Sequence, residues 1–248
     1  MSDRPHIHIL GADPSSPFPP LCWAIDNPNG LLAAGGDLHP QRLLAAYRHG
    51  VFPWFNPGEP ILWWSPDPRV VFDTVAFRLP RKLRASLRES ALVLRADSDF
   101  ATVIARCADS PRPGQRGTWI GAAMRRAYLD LHRLGHAHCV EAWDGDTLIG
   151  GIYGVAIGKM FFGESMFSAR PGGSKIALAG LASLLASWDW PLIDAQVANP
   201  HLTLLGAREL PRAGFAAELG RLCALPGRPG SWRELVGDLP ASALPALR

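Results

Sequence analysis

The sequence predicts a mixed α+β or α/β protein. We expect a small N-terminal domain over residues 1–72 and a C-terminal domain over residues 73–248, built on a mixed central sheet. The first reason is a change in texture, because the N-terminal part is rich in Pro, Gly and Trp, whereas the remainder alternates strand and helix patterns. The second is composition: 48% hydrophobic and 19% charged residues permit a sizeable core and are atypical of a disordered chain.

One helix is predicted in the N-terminal domain, over residues 40–49, with Gly50 ending it. Leu43, Leu44 and Tyr47 fall on one face of this helix, which we expect to be buried. Four tryptophans predict a compact aromatic core or a binding wall in this domain: Trp23, Trp54, Trp63 and Trp64.

Residues 78–88 form a strongly basic segment without an acidic residue. Pro80 suits the first turn of a helix. The leucines at 79, 83 and 87 recur every four residues, so the pattern predicts an amphipathic helix with a basic face. A solvated helix face is the alternative to an anion-binding surface. The five cations are Arg78, Arg81, Lys82, Arg84 and Arg88.

From residue 91 the predicted elements follow a regular order. They are a strand at 91–95, helices at 100–108 and 120–134, strands at 137–143, 148–156 and 160–167, a helix at 174–188, a strand at 192–197 and a helix starting at 201–205. This order is typical of the N-acetyltransferase-type fold. The match is an analogy of fold and does not by itself give a function.

Charge, cysteine usage and apolar runs exclude several classes of protein. The formal net charge of +3 is weak evidence for an anionic partner. We find no secretory signal and no apolar run of about 18 residues, so we expect no membrane span. The four cysteines are far apart and form no C-x-x-C pair, which argues against a zinc ribbon or a dithiol motif. We therefore expect a cytoplasmic protein.

The predicted strand at 192–197 carries two polar side chains on one face, Asp194 and Gln196, because side chains alternate along a strand. A carboxylate in a central strand must find a partner or change its pKa. The two residues are thus candidate catalytic groups. A structural hydrogen bond or a polar position at the rim of the sheet is the alternative.

Glu164 poses the same question in the strand before it. The alternation predicts that Phe162, Glu164 and Met166 share one face, which would place an acid between two apolar side chains. The functional interpretation is a desolvated acid that awaits a cation, and the alternative is a surface residue at the end of a strand.

Two further patterns are weak. His132, His136 and His138 have a spacing similar to that of metal ligands, but no fourth ligand is evident, and we expect no metal. Residues 171–175 open a helix whose free N–H groups could hold an anion, although an ordinary helix start explains them equally well.

Taken together, the motifs resemble the leucyl/phenylalanyl-tRNA–protein transferase family. The resemblance runs from about residue 18 to residue 219, nearly the whole chain. Its matching stretches are residues 28–33, 35–38, 42–55, 60–69, 118–120, 127–132, 135–138, 151–154, 163–167, 192–197 and 205–207. Two departures, Gly173 and Ala195, replace the family's usual Ala and Cys and leave the shape of the pocket open.

The resemblance implies both a reaction and roles for named residues. Family members transfer Leu or Phe, and less readily Met, from aminoacyl-tRNA to proteins that begin with Arg or Lys, and the product is recognised by the bacterial degradation machinery. Asp194 and Gln196 are implied as the catalytic pair and Glu164 as an acid of the acceptor site. The implied contacts of the tRNA 3′-adenosine and the aminoacyl group are Trp54, Trp119, Ile152, Phe161, Met166, Leu178 and Ile193.

Aminoacyl-tRNA is an activated ester, so we expect no cofactor, and the enzyme has only to orient the reactants and remove a proton. Asp194 would accept that proton directly or through the tRNA ribose hydroxyl, and Gln196 would hold the geometry. The five cations of residues 78–88 are predicted to contact tRNA phosphates, and we expect a monomer.

Two other functions remain open from the sequence. A coenzyme A-dependent N-acetyltransferase would need a pyrophosphate-binding loop, and its usual Q/R-x-x-G-x-G/A signature is missing from residues 168–175. A non-catalytic RNA-binding module would suit the basic segment and the tryptophans but has no use for Asp194, Gln196 and Glu164.

Overall fold

The computed structural model describes residues 7–110 and 118–246. The N-terminal elements form a small four-stranded sheet, in the order β1-β2-β4-β3, with one helix. Strand β1 pairs parallel with β2, and the other two pairings are antiparallel. The elements are β1 (His8–Leu10), β2 (Leu31–Gly35), α1 (Pro40–Arg48), β3 (Phe52–Pro53) and β4 (Leu62–Trp64).

The remaining elements form an eight-stranded sheet and its covering helices. They are β5 (Arg69–Asp73), α2 (Arg81–Leu87), β6 (Val93–Ala96), α3 (Phe100–Asp109), α4 (Ala122–Arg133), β7 (Ala137–Asp144), β8 (Thr147–Ile157), β9 (Met160–Ser168), α5 (Gly173–Ser187), β10 (Leu192–Gln196), α6 (Pro200–Leu204), β11 (Arg208–Leu210), α7 (Arg212–Cys223), α8 (Arg233–Val236) and β12 (Leu239–Pro240). The strand order is β11-β5-β10-β9-β8-β7-β6-β12.

This large sheet is mixed, as the sequence predicts. Strands β9 and β10 run parallel, and helix α5 connects them; the other pairings are antiparallel. The predicted mixed α+β architecture with an N-terminal domain is therefore confirmed. The chain passes from the small sheet to the large one at β5, and the exact boundary at residue 72 stays a prediction.

Two apolar layers cover the two faces of the large sheet. One layer joins α1, α3 and α4 to the sheet and includes Tyr47, Tyr128 and Phe162. The other is built around α5 and includes Phe161 and Ile193. Helix α5 is buried along most of its length because it lies directly on the sheet.

A close backbone approach fixes where α5 begins. A Cβ atom on Gly150 of β8 would lie 2.2 Å from the backbone of Gly173, the first residue of α5, so only glycine fits there. None of the helices within the two described ranges is long and apolar enough to cross a membrane.

The basic segment departs from its predicted bounds. Helix α2 starts at Arg81 and ends at Leu87, and Pro80 precedes it rather than occupying its first turn. The backbone of Pro80 is extended, with φ −52° and ψ 136°, which explains the late start. The predicted apolar side is confirmed, because Leu79, Leu83 and Leu87 all pack into the α5 layer.

Candidate active site

A cleft of about 540 Å³ opens beside the ends of β9 and β10, between the large sheet and the small N-terminal one. Apolar and aromatic side chains dominate its walls, and its polar side chains include a hydrogen-bonded group of three, Glu164, Asp194 and Gln196. The apolar wall includes Phe52, Trp54, Phe72, Trp119, Ile152, Met166, Leu178, Ile193 and Leu202. This combination is typical of a small-molecule binding site.

Both strands that carry the polar residues are interrupted by a bulge. Between β8 and β9 the register shifts after the pair Tyr153–Ser165, so Glu164 has no opposite residue. Between β10 and β5 the register shifts between Asp194 and Gln196, which leaves Ala195 extra. Bulges redirect side chains and are frequent next to active sites.

The bulge in β9 corrects one prediction. Phe162 packs in the layer of α1, α3 and α4, whereas Met166 packs against the α5 layer, so the two side chains lie on opposite faces. The prediction that Phe162, Glu164 and Met166 share a face is wrong, because the extra residue inverts the alternation beyond it.

Asp194 is fully buried and paired with a cation. Its two carboxylate oxygens accept from Arg69 Nε at 2.8 Å and from Arg69 Nη2 at 2.6 Å. The guanidinium lies between the rings of Phe52 and Phe215, 4.8 and 4.6 Å from their centroids, and also donates to the Gly50 carbonyl. The carboxylate is thus held by a bidentate ion pair.

Gln196 is held in an unusual backbone conformation. Its φ of 62° lies in the left-handed region, which a residue with a side chain rarely adopts. Its backbone N–H donates to Asp194 Oδ1 at 2.9 Å, and its Nε2 donates to Glu164 Oε1 at 2.8 Å. Asp194, Gln196 and Glu164 therefore form one connected network across two neighbouring strands.

Glu164 is held by neutral donors. Tyr47 Oη donates to its Oε1 at 2.7 Å and Tyr128 Oη to its Oε2 at 2.8 Å, in addition to Gln196. Burial raises the pKa of Glu164 to about 7; hydrogen bonds from the two tyrosines and Gln196 oppose the increase, and the charge of Asp194 adds to it. A carboxyl group with such a pKa can exchange a proton near neutral pH.

The predicted substrate-binding residues fall mainly in one place. Trp54, Trp119, Ile152, Met166, Leu178 and Ile193 all line the cleft with the three polar residues. Phe161 does not reach the cleft; it is fully buried in the α5 layer, 5.9 Å from the Trp232 ring centroid.

The basic segment lies beside one wall of the cleft. Phe72, which lines the cleft, contacts Phe77 at 5.6 Å between ring centroids, and the segment starts at the next residue. Arg78 donates to the carbonyls of Val75 and Phe77 and lies outside α2. The other four cations, Arg81, Lys82, Arg84 and Arg88, lie within α2 or at its end and are exposed or half-buried.

Two of the three spaced histidines serve packing roles. His132 Nδ1 bonds to the Ala137 carbonyl and its ring stacks on Phe100, and His138 pairs with Asp97 and stacks on Trp232. Across the described ranges, no group of three or more His, Cys, Asp or Glu residues is placed to hold a metal ion.

Sequence reasoning missed three residues of the polar network, Arg69, Tyr47 and Tyr128. The periodicity of α1 correctly predicts that Tyr47 is buried, but it identifies no partner for the hydroxyl group. Arg69 lies 125 residues from Asp194 in the chain, and only the pairing of β5 with β10 brings them together. The signal that could have indicated Arg69 is the carboxylate of Asp194, because a buried carboxylate requires a partner.

Comparisons with known proteins point to one class, the transferases that use aminoacyl-tRNA. The family model described as leucyl/phenylalanyl-tRNA protein transferase matches residues 71–220, and the model of its N-terminal domain matches residues 36–67. The chain therefore belongs to the leucyl/phenylalanyl-tRNA protein transferase family, which confirms the resemblance seen in the motifs.

Curated relatives with similar sequences are named as members of the same family. A leucyl/phenylalanyl-tRNA–protein transferase of Xanthomonas campestris pv. campestris (strain 8004) is 61% identical over 241 residues, 97% of either chain. One of Xylella fastidiosa (strain 9a5c) is 57% identical over 231 residues, which are 93% of this chain and 95% of the relative. Among solved structures, L-PGS from Bacillus licheniformis matches 55% of this chain and 49% of its own, with 12% identity and a TM-score of 0.37. That likeness is too low to carry an argument.

Proposed function

We propose that the cleft binds the 3′ end of Leu-tRNA or Phe-tRNA and transfers the aminoacyl group to the α-amino group of proteins that begin with Arg or Lys. The observation that carries this proposal is the meeting of an apolar pocket with the network of Glu164, Gln196 and Asp194, in a chain of this family. Met is a weaker donor in the proposal. The modified proteins would be degraded in the cytoplasm, and the enzyme would act as a monomer.

Gln196 and Asp194 form the catalytic pair in this proposal. Because Gln196 Nε2 is used by Glu164, the amide oxygen is the atom left to accept from an attacking amine. Asp194 fixes Gln196 through the backbone N–H, and Arg69 balances the charge of Asp194. Orientation of the two reactants is the main contribution of such a pair.

Glu164 supplies the counter-charge for the cationic acceptor. It lines the cleft, is 8% exposed, and forms no ion pair with a lysine or arginine of the described residues. A positively charged N-terminus would therefore meet an acid whose other partners are neutral, and its charge would favour the ionised carboxylate.

The apolar wall selects the aminoacyl group. Ile152, Met166, Leu178 and Ile193 suit an apolar side chain that is not β-branched, such as Leu or Phe. Trp54 and Trp119 would stack on the terminal adenosine. A hydrophobic pocket discriminates by on the order of 1–3 kcal/mol per methylene group, so some transfer of Met is expected.

The exposed cations beside the Phe72 wall would bind tRNA phosphates. Contacts to phosphate position a nucleic acid without selecting its sequence, which suits an enzyme that accepts tRNAs for different amino acids. The segment contains no acid that would neutralise it internally.

One mixture tests the proposal against its alternatives. The protein is incubated with radiolabelled Leu-tRNA, labelled acetyl-CoA and a peptide that begins with Arg, and the same peptide with an acetylated N-terminus is the control. We expect Leu on the free peptide alone. Acetyl transfer would favour an N-acetyltransferase, and tRNA binding without any transfer would favour an RNA-binding module.

A further inference from the structure

Three side chains form a closed triangle of oxygen contacts at the polar end of the cleft. Tyr47 Oη and Tyr128 Oη each contact one oxygen of Glu164, at 2.7 and 2.8 Å, and the two hydroxyls also contact each other. The tyrosines come from different helices, α1 and α4, and both are fully buried. Two separate parts of the fold thus converge on one carboxyl group.

The triangle has more contacts than hydroxyl protons. Each tyrosine brings one proton, so with Glu164 ionised two contacts are hydrogen bonds and the third places two oxygens together without a proton between them. When Glu164 is protonated, each of the three oxygen contacts can hold one proton, and the ring closes. The same three side chains can therefore hold the carboxyl group in either protonation state, so a proton can arrive and leave without a change of partners.

Besides the two helices, three strands of the large sheet shape the electrostatic surroundings of Glu164. Strand β10 brings the charge of Asp194, which is balanced by Arg69 of β5, and Gln196 beyond it donates one hydrogen bond. Tyr153 of β8 packs edge-on against Tyr128, 5.6 Å between ring centroids. Burial, rather than any one of these neighbours, is the main reason that the pKa of Glu164 rises to about 7.

We infer that Glu164, closed into a ring by Tyr47 and Tyr128, is the group that takes the proton from the attacking α-ammonium. This inference rests on the proposed function and names the proton acceptor within it. Tyr47 and Tyr128 are positioning residues, since they reach the substrate only through Glu164.

The acceptor α-ammonium gives one proton to the Glu164 carboxylate and becomes a neutral amine. Its lone pair attacks the carbonyl carbon of the aminoacyl ester, so that a C–N bond forms and the C–O bond to the ribose breaks. The second proton of the nitrogen leaves with the ribose oxygen, and Glu164 returns its proton to solvent.

The test compares Tyr47→Phe and Tyr128→Phe with the wild-type protein. Each change removes a donor that stabilises the carboxylate, so the rise of transfer rate with pH should move to higher pH by about one to two units. The acceptor peptide is the same throughout, so titration of its own amine cancels in the comparison. Tyr153→Phe is the matched control, because it removes a buried hydroxyl while the Tyr47, Tyr128 and Gln196 donors stay in place.

A second readout does not depend on activity. Infrared spectroscopy with ¹³C-labelled Glu follows the protonated carboxyl of Glu164, identified by its loss in Glu164→Gln. We expect its titration midpoint near pH 7 in the wild type and higher in both tyrosine variants. Unchanged profiles and midpoints in both variants, or an equal shift in Tyr153→Phe, would overturn the inference. Absence of transfer by the wild type, with the infrared shifts present, would instead count against the proposed function.

Discussion

Asp194 and Glu164 are two buried carboxyl groups on neighbouring strands, and they differ in the charge of their hydrogen-bond partners. Asp194 is closed in a bidentate pair with Arg69, whose guanidinium lies between two aromatic rings. Glu164 receives neutral donors, from two tyrosines and an amide. A permanently charged partner keeps a carboxyl group ionised. Neutral hydrogen-bond donors leave its protonation state dependent on pH and on the charge of a bound substrate. The difference separates a group that holds geometry from one that can exchange a proton.

The largest effect on transfer and stability is expected from a change at Asp194, the ion-paired carboxyl group. Asp194→Ala should lower transfer more than about a hundredfold, because Gln196 loses the acceptor that fixes its backbone. It should also lower stability by about 3–5 kcal/mol, since Arg69 remains buried without a counter-charge. Steady-state transfer and denaturant unfolding measure the two effects.

A double variant separates these two effects. In Asp194→Ala with Arg69→Met the unpaired cation is removed, so most of the stability should return while transfer stays low. Near-normal turnover in folded Asp194→Ala would mean that this end of the network is not needed.

The next largest effect is expected from a change at Glu164, the carboxyl group held by neutral donors. Glu164→Gln keeps the shape but removes the charge, so use of an Arg-starting acceptor should fall about a hundredfold or more. Binding of aminoacyl-tRNA, measured by filter retention, should change little. Equal losses in both assays would indicate that Glu164 supports the fold rather than the acceptor.

A smaller effect is expected outside the comparison, in the basic segment. Changing Arg81, Lys82 and Arg84 together to Ala should weaken tRNA binding at least about tenfold and flatten the salt dependence by roughly two to three units of slope. Transfer from an aminoacyl-adenosine should persist. The matched control changes three exposed arginines on other helices, Arg133, Arg221 and Arg233, and thus removes the same charge. An unchanged slope in the first variant, or the same slope in both, would place the tRNA elsewhere.

The smallest effect concerns the apolar wall. Met166 is half-buried and lines the cleft, so Met166→Ala should enlarge the pocket and favour Phe over Leu by about tenfold. Leu-tRNA and Phe-tRNA compete in one reaction, so the product ratio is independent of how much protein is folded. A constant ratio would exclude Met166 from the selecting wall.

From residue 91 to residue 205 the sequence predicted the helices and strands from their periodicity, with ends that differ by at most two residues from those observed, but it did not predict β11, α7, α8 or β12. The sequence also identified Asp194, Gln196 and Glu164 as candidate site residues, because a polar side chain in an apolar strand requires a partner or a functional role. The features that the sequence could not predict depend on contacts between segments that are distant in the chain. The bulge that inverts the alternation beyond Glu164 depends on the pairing of β8 with β9. The Arg69 partner comes from a strand 125 residues away, and the tyrosine hydroxyls from two helices.

The central claim is that Glu164 gains and loses its proton near neutral pH in the folded protein, and unfolding stability tests it most directly. The pKa rises from 4.5 to about 7 on folding, so both states are protonated at low pH, and only the unfolded state loses its proton as pH increases between these values. The stability of the wild type relative to Glu164→Gln should therefore fall by about 3 kcal/mol from pH 4.5 to pH 7 and then level off. Glu209→Gln, at an exposed position, is the control. A difference between wild type and Glu164→Gln that does not change with pH would contradict the claim.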